Sequence, residues 1–479
     1  MLSPEEYSRH DAVGLAALVR AGEVSAAEVT DTALTRIDRL NPAINAVIQR
    51  DDAQARAAAS EAPGNAPLAG IPFLAKDINV EVRGWPLTNA CRFFADAPKA
   101  ETDSDLARRW REAGLVVVGR SNTPEFATDF ACEPELYGPT LNPWDTTRTP
   151  GGSSGGAAAA VAAGLVPIAH ASDSGGSIRV PAGCCGVFGF KPSAGRVATG
   201  SALGPLVGGL NCDHVVSRTV RDSAAMLDAT AAPEQGMPCP LSPPPESGYL
   251  AAINRPPPPL RIGLCASAPS GQLPTDGIAE ILTKTGRLLE TLGHAITPFD
   301  WPADTDPSEP ATPLWASDIA LLVDMRTQVL GRPPQDNELG PLVRFALDQA
   351  AQLTMTEAAR LRVKRWDIRR RLARALSPFD IILTPVTAGA AIPSGLLGEA
   401  ALRSVPEWTE RAGAFAPYTE IYNLTGQPAM SVPLYHGADG LPVGMQFAAQ
   451  VGQDALLLRL ARQLEQTAPW GQRRPLIAD

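Results

Sequence analysis

Two turns rich in glycine and serine are the part of this sequence best suited to chemistry. The first reads Gly-Gly-Ser-Ser-Gly-Gly over residues 151–156, and the second reads Asp-Ser-Gly-Gly-Ser-Ile-Arg over residues 173–179. Glycine lets a substrate approach the backbone closely, and successive N–H groups in such a turn bind anions. A serine at the end of the turn is then a nucleophile beside an oxyanion hole. This pattern selects Ser153 and Ser177.

The two serines can meet in space although they lie 24 residues apart in the chain. An Ala-rich helix over residues 155–164 climbs roughly 15 Å. A short return strand is predicted over residues 165–169, and a strand of five or six residues covers roughly 17–20 Å in the opposite direction. Because the two lengths nearly cancel, we expect the chain to return close to its starting point.

A serine hydroxyl needs a base before it acts as a nucleophile, and lysine is the residue type that this sequence offers. None of the five histidines lies in a G-x-S-x-G or HExxH motif, and we expect His170 to be a packed core residue. Lys76 ends the apolar strand Ile-Pro-Phe-Leu-Ala-Lys over residues 71–76. Burial there favours the neutral amine, which accepts a proton.

Each of these features also has an ordinary structural interpretation. A loop of glycine and serine is typical of a phosphate cradle or a flexible turn, and a lysine at a strand end is typical of the surface. A Walker A motif is excluded, because no Gly-Lys-Ser/Thr follows Gly156. Taken from the residues alone, these alternatives stay open, and only the combination of features favours catalysis.

Composition narrows the class of protein. The 479 residues are 44% hydrophobic and carry a formal net charge of −10, which favours a large buried core and argues against a nucleic-acid partner. The seven cysteines form no CxxC pair, so we expect reduced thiols, no bound metal and a cytoplasmic location. The longest weakly polar run, residues 157–169, is too short to span a membrane, and residues 1–10 lack the apolar region of a signal peptide.

The remaining patterns predict alternating helices and strands. Two helices are expected between residues 11 and 60, and ten prolines between Pro233 and Pro259 predict a loop. Residues 314–376 predict a long helical region that breaks at 331–334. Further helices are predicted over 103–113, 275–292 and 451–466, and strands over 68–80, 115–119, 260–265, 380–384, 429–434 and 443–448. Branched apolar strands of this kind are typical of a sheet that is buried on both faces.

The two turns and several other motifs resemble the amidase signature family, and the similarity extends along nearly the whole chain. Within that family the sequence is most similar to hydrolases of the 6-aminohexanoate cyclic dimer type. The segments that match the family are Gly151–Gly156, Asp173–Arg179, Pro181, Cys185–Pro192, Lys76-Asp77, Asn122–Glu125 and Pro442–Gly444. The segments that match the cyclic dimer hydrolases are Gly331–Pro333 and Pro469-Trp470. His170-Ala171 and the second thiol, Cys184, depart from the common pattern but do not touch the catalytic positions.

The resemblance implies an α/β fold with a large mixed, twisted sheet covered by helices on both faces. It implies one structural domain, in which a helical segment over 1–65 packs on an amidase signature core over 66–479. That core would contain the Pro-rich loop 233–259 and a helical insert over 301–376.

The resemblance also implies roles for individual residues. Ser177 would be the nucleophile, Ser153 a bridging serine that follows a cis peptide bond, and Lys76 the base. The oxyanion hole would consist of the backbone N–H groups of Ser174, Gly175, Gly176 and Ser177. Asp173 and Arg179 would orient the turn, although an ordinary ion pair fits them equally well.

The implied activity is hydrolysis of the carbon–nitrogen bond of a small-molecule amide through an acyl-enzyme. The resemblance implies that the enzyme needs no cofactor and is a monomer or homodimer. The alternatives are a carbamate or ester hydrolase, a glutaminase-like subunit of a tRNA-dependent amidotransferase, and a non-catalytic binding protein. Trp315, Ile319 and Leu322 share one helix face. Together with Thr128 and Asp129 of the loop 122–132, they would bind substrate. A plain core face is the competing interpretation, and the resemblance favours the pocket.

Overall fold

The fold was obtained as a computed structural model, which describes residues 2–198, 200, 203–204, 206–232, 243–398, 402 and 404–478. The helices within these residues are α1 (Pro4–Arg9), α2 (Ala12–Ala21), α3 (Ala26–Ile44), α4 (Asp52–Glu61), α5 (Asp105–Glu112), α6 (Gly155–Ala162), α7 (Arg179–Cys185), α8 (Val220–Thr230), α9 (Tyr249–Ala252), α10 (Asp276–Thr291), α11 (Ser308–Leu330), α12 (Pro341–Gln352), α13 (Met355–Leu376), α14 (Val405–Phe415), α15 (Ile421–Thr425) and α16 (Asp454–Thr467).

One mixed sheet runs through the molecule. Its strands are β1 (Val47–Arg50), β2 (Ile71–Lys76), β3 (Leu115–Ser121), β4 (Ile168–Asp173), β5 (Phe188–Lys191), β6 (Cys212–Ser217), β7 (Arg261–Leu264), β8 (Ala295–Pro298), β9 (Ile381–Pro385), β10 (Ala429–His436) and β11 (Pro442–Ala449). They lie in the order β1-β3-β2-β4-β6-β5-β10-β11-β9-β7-β8. Strand β2 is parallel to β3 and β4, whereas β4 and β6, and β10 and β11, are antiparallel.

The sheet is covered on both faces, because alternate residues of its inner strands enter different apolar clusters. Leu115 and Val117 of β3 lie in a cluster with α2, α5, α8 and α16. Val116 and Val118 lie in a second cluster with α4, α6 and α7. Successive strand side chains point to opposite faces, so the predicted mixed sheet with helices on both faces is confirmed.

The N-terminal segment departs from the prediction in one respect. Between residues 11 and 60 the structure has three helices, α2 to α4, rather than two, and it adds the strand β1. This strand is four residues long and pairs antiparallel with β3 at the edge of the sheet. A strand this short has too few alternating residues for its periodicity to be recognised.

Other element boundaries differ by a few residues. The predicted strand over 68–80 is confined to β2, because the chain turns after Lys76, and the return strand begins at Ile168. The helical region near 314–376 consists of α11, α12 and α13. Of the Pro-rich segment, residues 233–242, with Cys239, lie outside the described residues.

Two further expectations from the sequence concern reduced cysteine thiols and membrane-spanning helices. The six cysteines in the described ranges are buried, and Cys132, Cys184, Cys185, Cys212 and Cys265 are free thiols. No helix in the part of the chain that the structure describes has the length and apolar character needed to cross a membrane.

Candidate active site

The two Gly- and Ser-rich turns meet at the carboxyl ends of β2 and β4. These strands are parallel neighbours, so their ends lie at the same edge of the sheet, where ligand sites of open α/β sheets form. Lys76 is the last residue of β2 and Asp173 the last residue of β4. The helix α6 begins directly after the first turn, and α7 directly after the second.

Lys76 is fully buried and contacts two serine hydroxyls. Its Nζ lies 2.7 Å from the Oγ of Ser153 and 3.1 Å from the Oγ of Ser172. Burial lowers the pKa of Lys76 from 10.5 to about 7, although the charges of nearby groups, including Asp173, oppose this shift. A neutral amine in contact with a hydroxyl is able to accept its proton.

Ser153 and Ser177 line one pocket, as the chain-length argument predicted. The backbone N–H of Ser154 donates to the carbonyl of Ser177 at 3.2 Å, which ties the two turns together. The peptide bond between Gly152 and Ser153 is cis, as the resemblance implied. Glycine is required at residue 152, because a Cβ there would lie 2.5 Å from the carbonyl oxygen of Asp129.

The second turn contains four successive backbone N–H groups, those of residues 174–177, that are placed to bind an oxygen atom. Within the described residues, none of the N–H groups of residues 174–177 donates a hydrogen bond. Buried N–H groups are nearly always paired, so this stretch is suited to binding an anionic oxygen. The turn itself is fixed by side chains: Ser174 donates to Asn211 at 3.0 Å, and Thr419 donates to the carbonyl of Gly175 at 2.5 Å.

Asp173 and Arg179 form a fully buried, bidentate ion pair below this turn. The Nε and Nη2 atoms of Arg179 donate to the two carboxylate oxygens at 2.9 Å and 2.8 Å. Burial by itself would raise the pKa of Asp173, but Arg179 lowers it to about 2. Arg179 also donates to Asn423, to Gln446 and to the carbonyl of Thr419. The pair therefore links the end of β4 and the start of α7 to Asn423 and Gln446.

His170 is a core residue, as expected. Its Nδ1 accepts the backbone N–H of Lys76 at 3.3 Å, and its Nε2 lies 3.1 Å from Asp213. Burial lowers its pKa, and its hydrogen bond with the N–H of Lys76 holds the end of β2 in place. No cluster of three or more histidine, cysteine or acidic side chains able to hold a metal occurs within the described ranges.

The pocket above Ser177 has an apolar wall from the predicted helix. Trp315, Ile319 and Leu322 of α11 all line it, and its cavity volume is ≈ 50 Å³. Thr128 and Asp129 are not among the lining residues. The Thr128 hydroxyl donates to the carbonyl of Glu125, and the Asp129 carboxylate accepts the indole N–H of Trp408. Their role in substrate binding stays a prediction.

Several residues of the site escaped the sequence analysis. Ser172 precedes Asp173 in β4, and the pairing of β4 with β2 is what brings it to Lys76. Asp318 lines the pocket from the same face of α11 as Trp315, and helical spacing would have found it. Asn423 and Gln446 gave no local signal, because they lie more than two hundred residues from Arg179 in the chain.

Comparison with known proteins agrees with this geometry. The amidase family model matches residues 28–458. The chain belongs to the amidase signature family. This amidase is 33% identical, over 489 aligned residues, to the 6-aminohexanoate-cyclic-dimer hydrolase of Paenarthrobacter ureafaciens, and the alignment covers 98% of this chain and 96% of that protein.

Solved structures confirm the fold of the amidase. A 6-aminohexanoate cyclic dimer hydrolase complexed with substrate superposes with a TM-score of 0.92 at 31% identity, covering 98% of this chain and 100% of that chain. A bacterial aryl acylamidase of the same family gives a TM-score of 0.86 at 25% identity, covering 97% of each chain. The family match and these neighbours show an enzyme that hydrolyses amide bonds.

Proposed function

We propose that this amidase cleaves small linear or cyclic amides through an acyl-enzyme on Ser177, with Ser153 and Lys76 as its proton relay. The observation that carries the proposal is the contact of 2.7 Å between the buried Nζ of Lys76 and the Oγ of Ser153. A buried lysine with a pKa near 7 is substantially neutral at neutral pH. It can therefore act as a base without a histidine.

The first half of the reaction forms the acyl-enzyme. Lys76 accepts the proton of the Ser153 hydroxyl as Ser153 accepts the proton of Ser177. The Oγ of Ser177 bonds to the amide carbonyl carbon, and the carbonyl electron pair moves to oxygen. Collapse of this tetrahedral intermediate breaks the C–N bond, and Ser153 returns the proton to the leaving amine.

The second half of the reaction releases the acid. Water adds to the ester carbonyl of the acyl-enzyme and gives its proton to the same relay. The C–O bond to Ser177 breaks, and Ser177 recovers its proton as the carboxylic acid leaves. In both halves the N–H groups of residues 174–177 stabilise the negative oxygen, which is usually the largest single catalytic effect. Asp173 and Arg179 are positioning residues in this scheme.

The relatives support amides as the substrate class. One is named for hydrolysis of the 6-aminohexanoate cyclic dimer and another as an aryl acylamidase, so one family fold serves both cyclic and aryl amides. The apolar wall formed by Trp315, Ile319 and Leu322 fits an uncharged carbon skeleton. We therefore propose that aliphatic and aryl amides of small size are turned over.

The test compares serine variants on an aryl amide. Ser177→Ala is expected to abolish turnover, and Ser153→Ala and Lys76→Met are each expected to lower kcat/KM by roughly 10²–10⁴. Ser60→Ala is the matched control, because Ser60 is exposed on α4. Mass spectrometry of wild-type enzyme quenched during turnover should show an acyl group on Ser177. Wild-type turnover by a folded Ser177→Ala protein would refute the proposal.

A further inference from the structure

The pocket wall opposite the reacting serines carries one carboxylate with no catalytic task. Asp318 of α11 lines the same pocket as Ser153 and Ser177. It is the one residue with a charged side chain among those that line the pocket in the described part of the chain. A negative charge inside an otherwise uncharged pocket disfavours anionic ligands and favours cationic ones.

Asp318 is half-buried without a charged partner in the described part of the chain, and this burial raises the pKa of its carboxyl group. Its carboxylate accepts the backbone N–H groups of Val207 and Gly208, which orient it. Within the described residues it forms no ion pair with a lysine or arginine. Buried or half-buried charges in proteins are normally paired, so the natural partner of Asp318 is to be sought in the ligand.

The same helix also contributes an aromatic residue to the pocket lining. Trp315 precedes Asp318 by three residues on α11, which places both side chains on one helix face, and both line the pocket. An indole face attracts a cation through its quadrupole, and tryptophan does so best among the aromatic residues. A carboxylate and an indole on one pocket wall are two groups that can bind the same ammonium ion.

We propose that Trp315 and Asp318 select amides whose acyl chain ends in a protonated amine. The proposal rests on the proposed function, because it places the acyl carbonyl at Ser177 and the distal end of the acyl chain at α11. Among ω-substituted acyl amides, an ammonium terminus is preferred over a methyl terminus, and a carboxylate terminus is disfavoured.

The experiment uses 4-nitroanilides of graded acyl chain length with three termini: ammonium, methyl and carboxylate. At the best chain length, kcat/KM of the wild-type enzyme should be about tenfold higher for the ammonium than for the methyl terminus, equivalent to about 1.4 kcal/mol. Asp318→Asn keeps an oxygen for the N–H of Val207 but removes the charge, so the two values should become about equal. Asp324→Asn is the matched control, because Asp324 is exposed on the same helix and lies outside the pocket lining.

Binding to Ser177→Ala separates this inference from the proposed function. Calorimetry with unreactive primary amides should show the same preference for the ammonium terminus, and Asp318→Asn in that background should remove it. This result would stand even if Ser177 were not the nucleophile. Equal affinity for the ammonium and methyl termini, or an equal loss for both in Asp318→Asn, would overturn the inference and leave Asp318 as a support for the turn at Val207.

Discussion

At the scale of single residues, burial rather than a charged partner determines the chemistry of Lys76. The side chain is fully buried and, within the described residues, forms no ion pair with a carboxylate. Desolvation disfavours the ammonium form, which lowers the pKa to about 7. The two serine hydroxyls in contact with Nζ are uncharged and do not hold the amine in its ammonium form. The amine can therefore take up and release a proton near neutral pH.

This pKa predicts the pH dependence of the enzyme. The base must be neutral, and lysine is neutral above its pKa, so kcat/KM should fall about tenfold per pH unit as the pH drops below about 7. Initial rates on an uncharged amide between mildly acidic and mildly alkaline pH would measure the limb. Lys99→Met, which removes an exposed lysine, should leave the profile unchanged. A profile without an acid limb would contradict the role of Lys76 as base.

At the scale of elements, the turn between β4 and α7 packs very closely against Thr419 at Gly176. Gly176 has a φ of +144°, and a Cβ there would lie 2.2 Å from the Oγ1 of Thr419. The neighbouring Gly175 differs, because its nearest neighbour would be Glu420 at 3.9 Å, an ordinary contact. The two glycines of one turn therefore tolerate a methyl group very differently.

We predict that Gly176→Ala displaces the turn and that Gly175→Ala does not. The displacement would move N–H groups away from the reacting oxygen, and loss of one such donor costs about 10²–10³ in kcat. Gly175→Ala should stay within a few-fold of wild type. Steady-state kinetics on one amide, with thermal unfolding of both variants, checks the pair. Equal loss in the two variants would show that the steric contact with Thr419 does not control the turn.

The side chain of Trp315 on α11 limits the space in the pocket. Trp315 is half-buried and lines the pocket, so Trp315→Ala should enlarge the site. Turnover of bulky or cyclic amides should rise about tenfold relative to small linear amides, with Tm nearly unchanged. Trp366→Ala, which removes a tryptophan 58% exposed on α13, should leave the ranking of substrates unaltered. A uniform loss on all substrates together with a fall of several degrees in Tm would mean that Trp315 is a core residue.

At the scale of the whole molecule, the buried Arg179 joins segments that are far apart in the chain. Its partners lie in β4, α15 and β11, and all are buried. Breaking a buried pair leaves a charge without compensation, which costs far more than the loss of a surface pair. The turn over residues 173–179 and the stability of the molecule are thus both expected to depend on this side chain.

Arg179→Met is therefore expected to lower the free energy of unfolding by about 3–5 kcal/mol. Arg370→Met is the comparison, because Arg370 forms an exposed ion pair with Asp367 on α13, and surface pairs contribute about 0–1 kcal/mol. Urea unfolding followed by circular dichroism measures both values at neutral pH. Small and similar changes in the free energy of unfolding of the two variants would contradict this prediction. They would show that the neighbours of Asp173 stabilise its buried charge without Arg179.

Features of this protein that depend on local chemistry follow directly from its sequence. The two turns and the strand ending at Lys76 were recognisable from glycine, serine and apolar spacing, and the short helix and strand between the turns predicted that Ser153 and Ser177 meet. Most of the strands and helices followed from periodicity, because each pattern lies within a dozen residues of chain. The family motifs pointed to amide hydrolysis before any geometry was known.

The contacts between those motifs and residues distant in the chain follow only from the tertiary structure. It brought Asn423 and Gln446 to Arg179, Ser172 to Lys76 and Asp318 to the pocket, and it added β1 to the edge of the sheet. Contacts between residues tens to hundreds of positions apart leave no periodic trace in the chain. They arise when strands pair and helices pack, and burial, which changes the pKa of Lys76, is likewise a property of the assembled core.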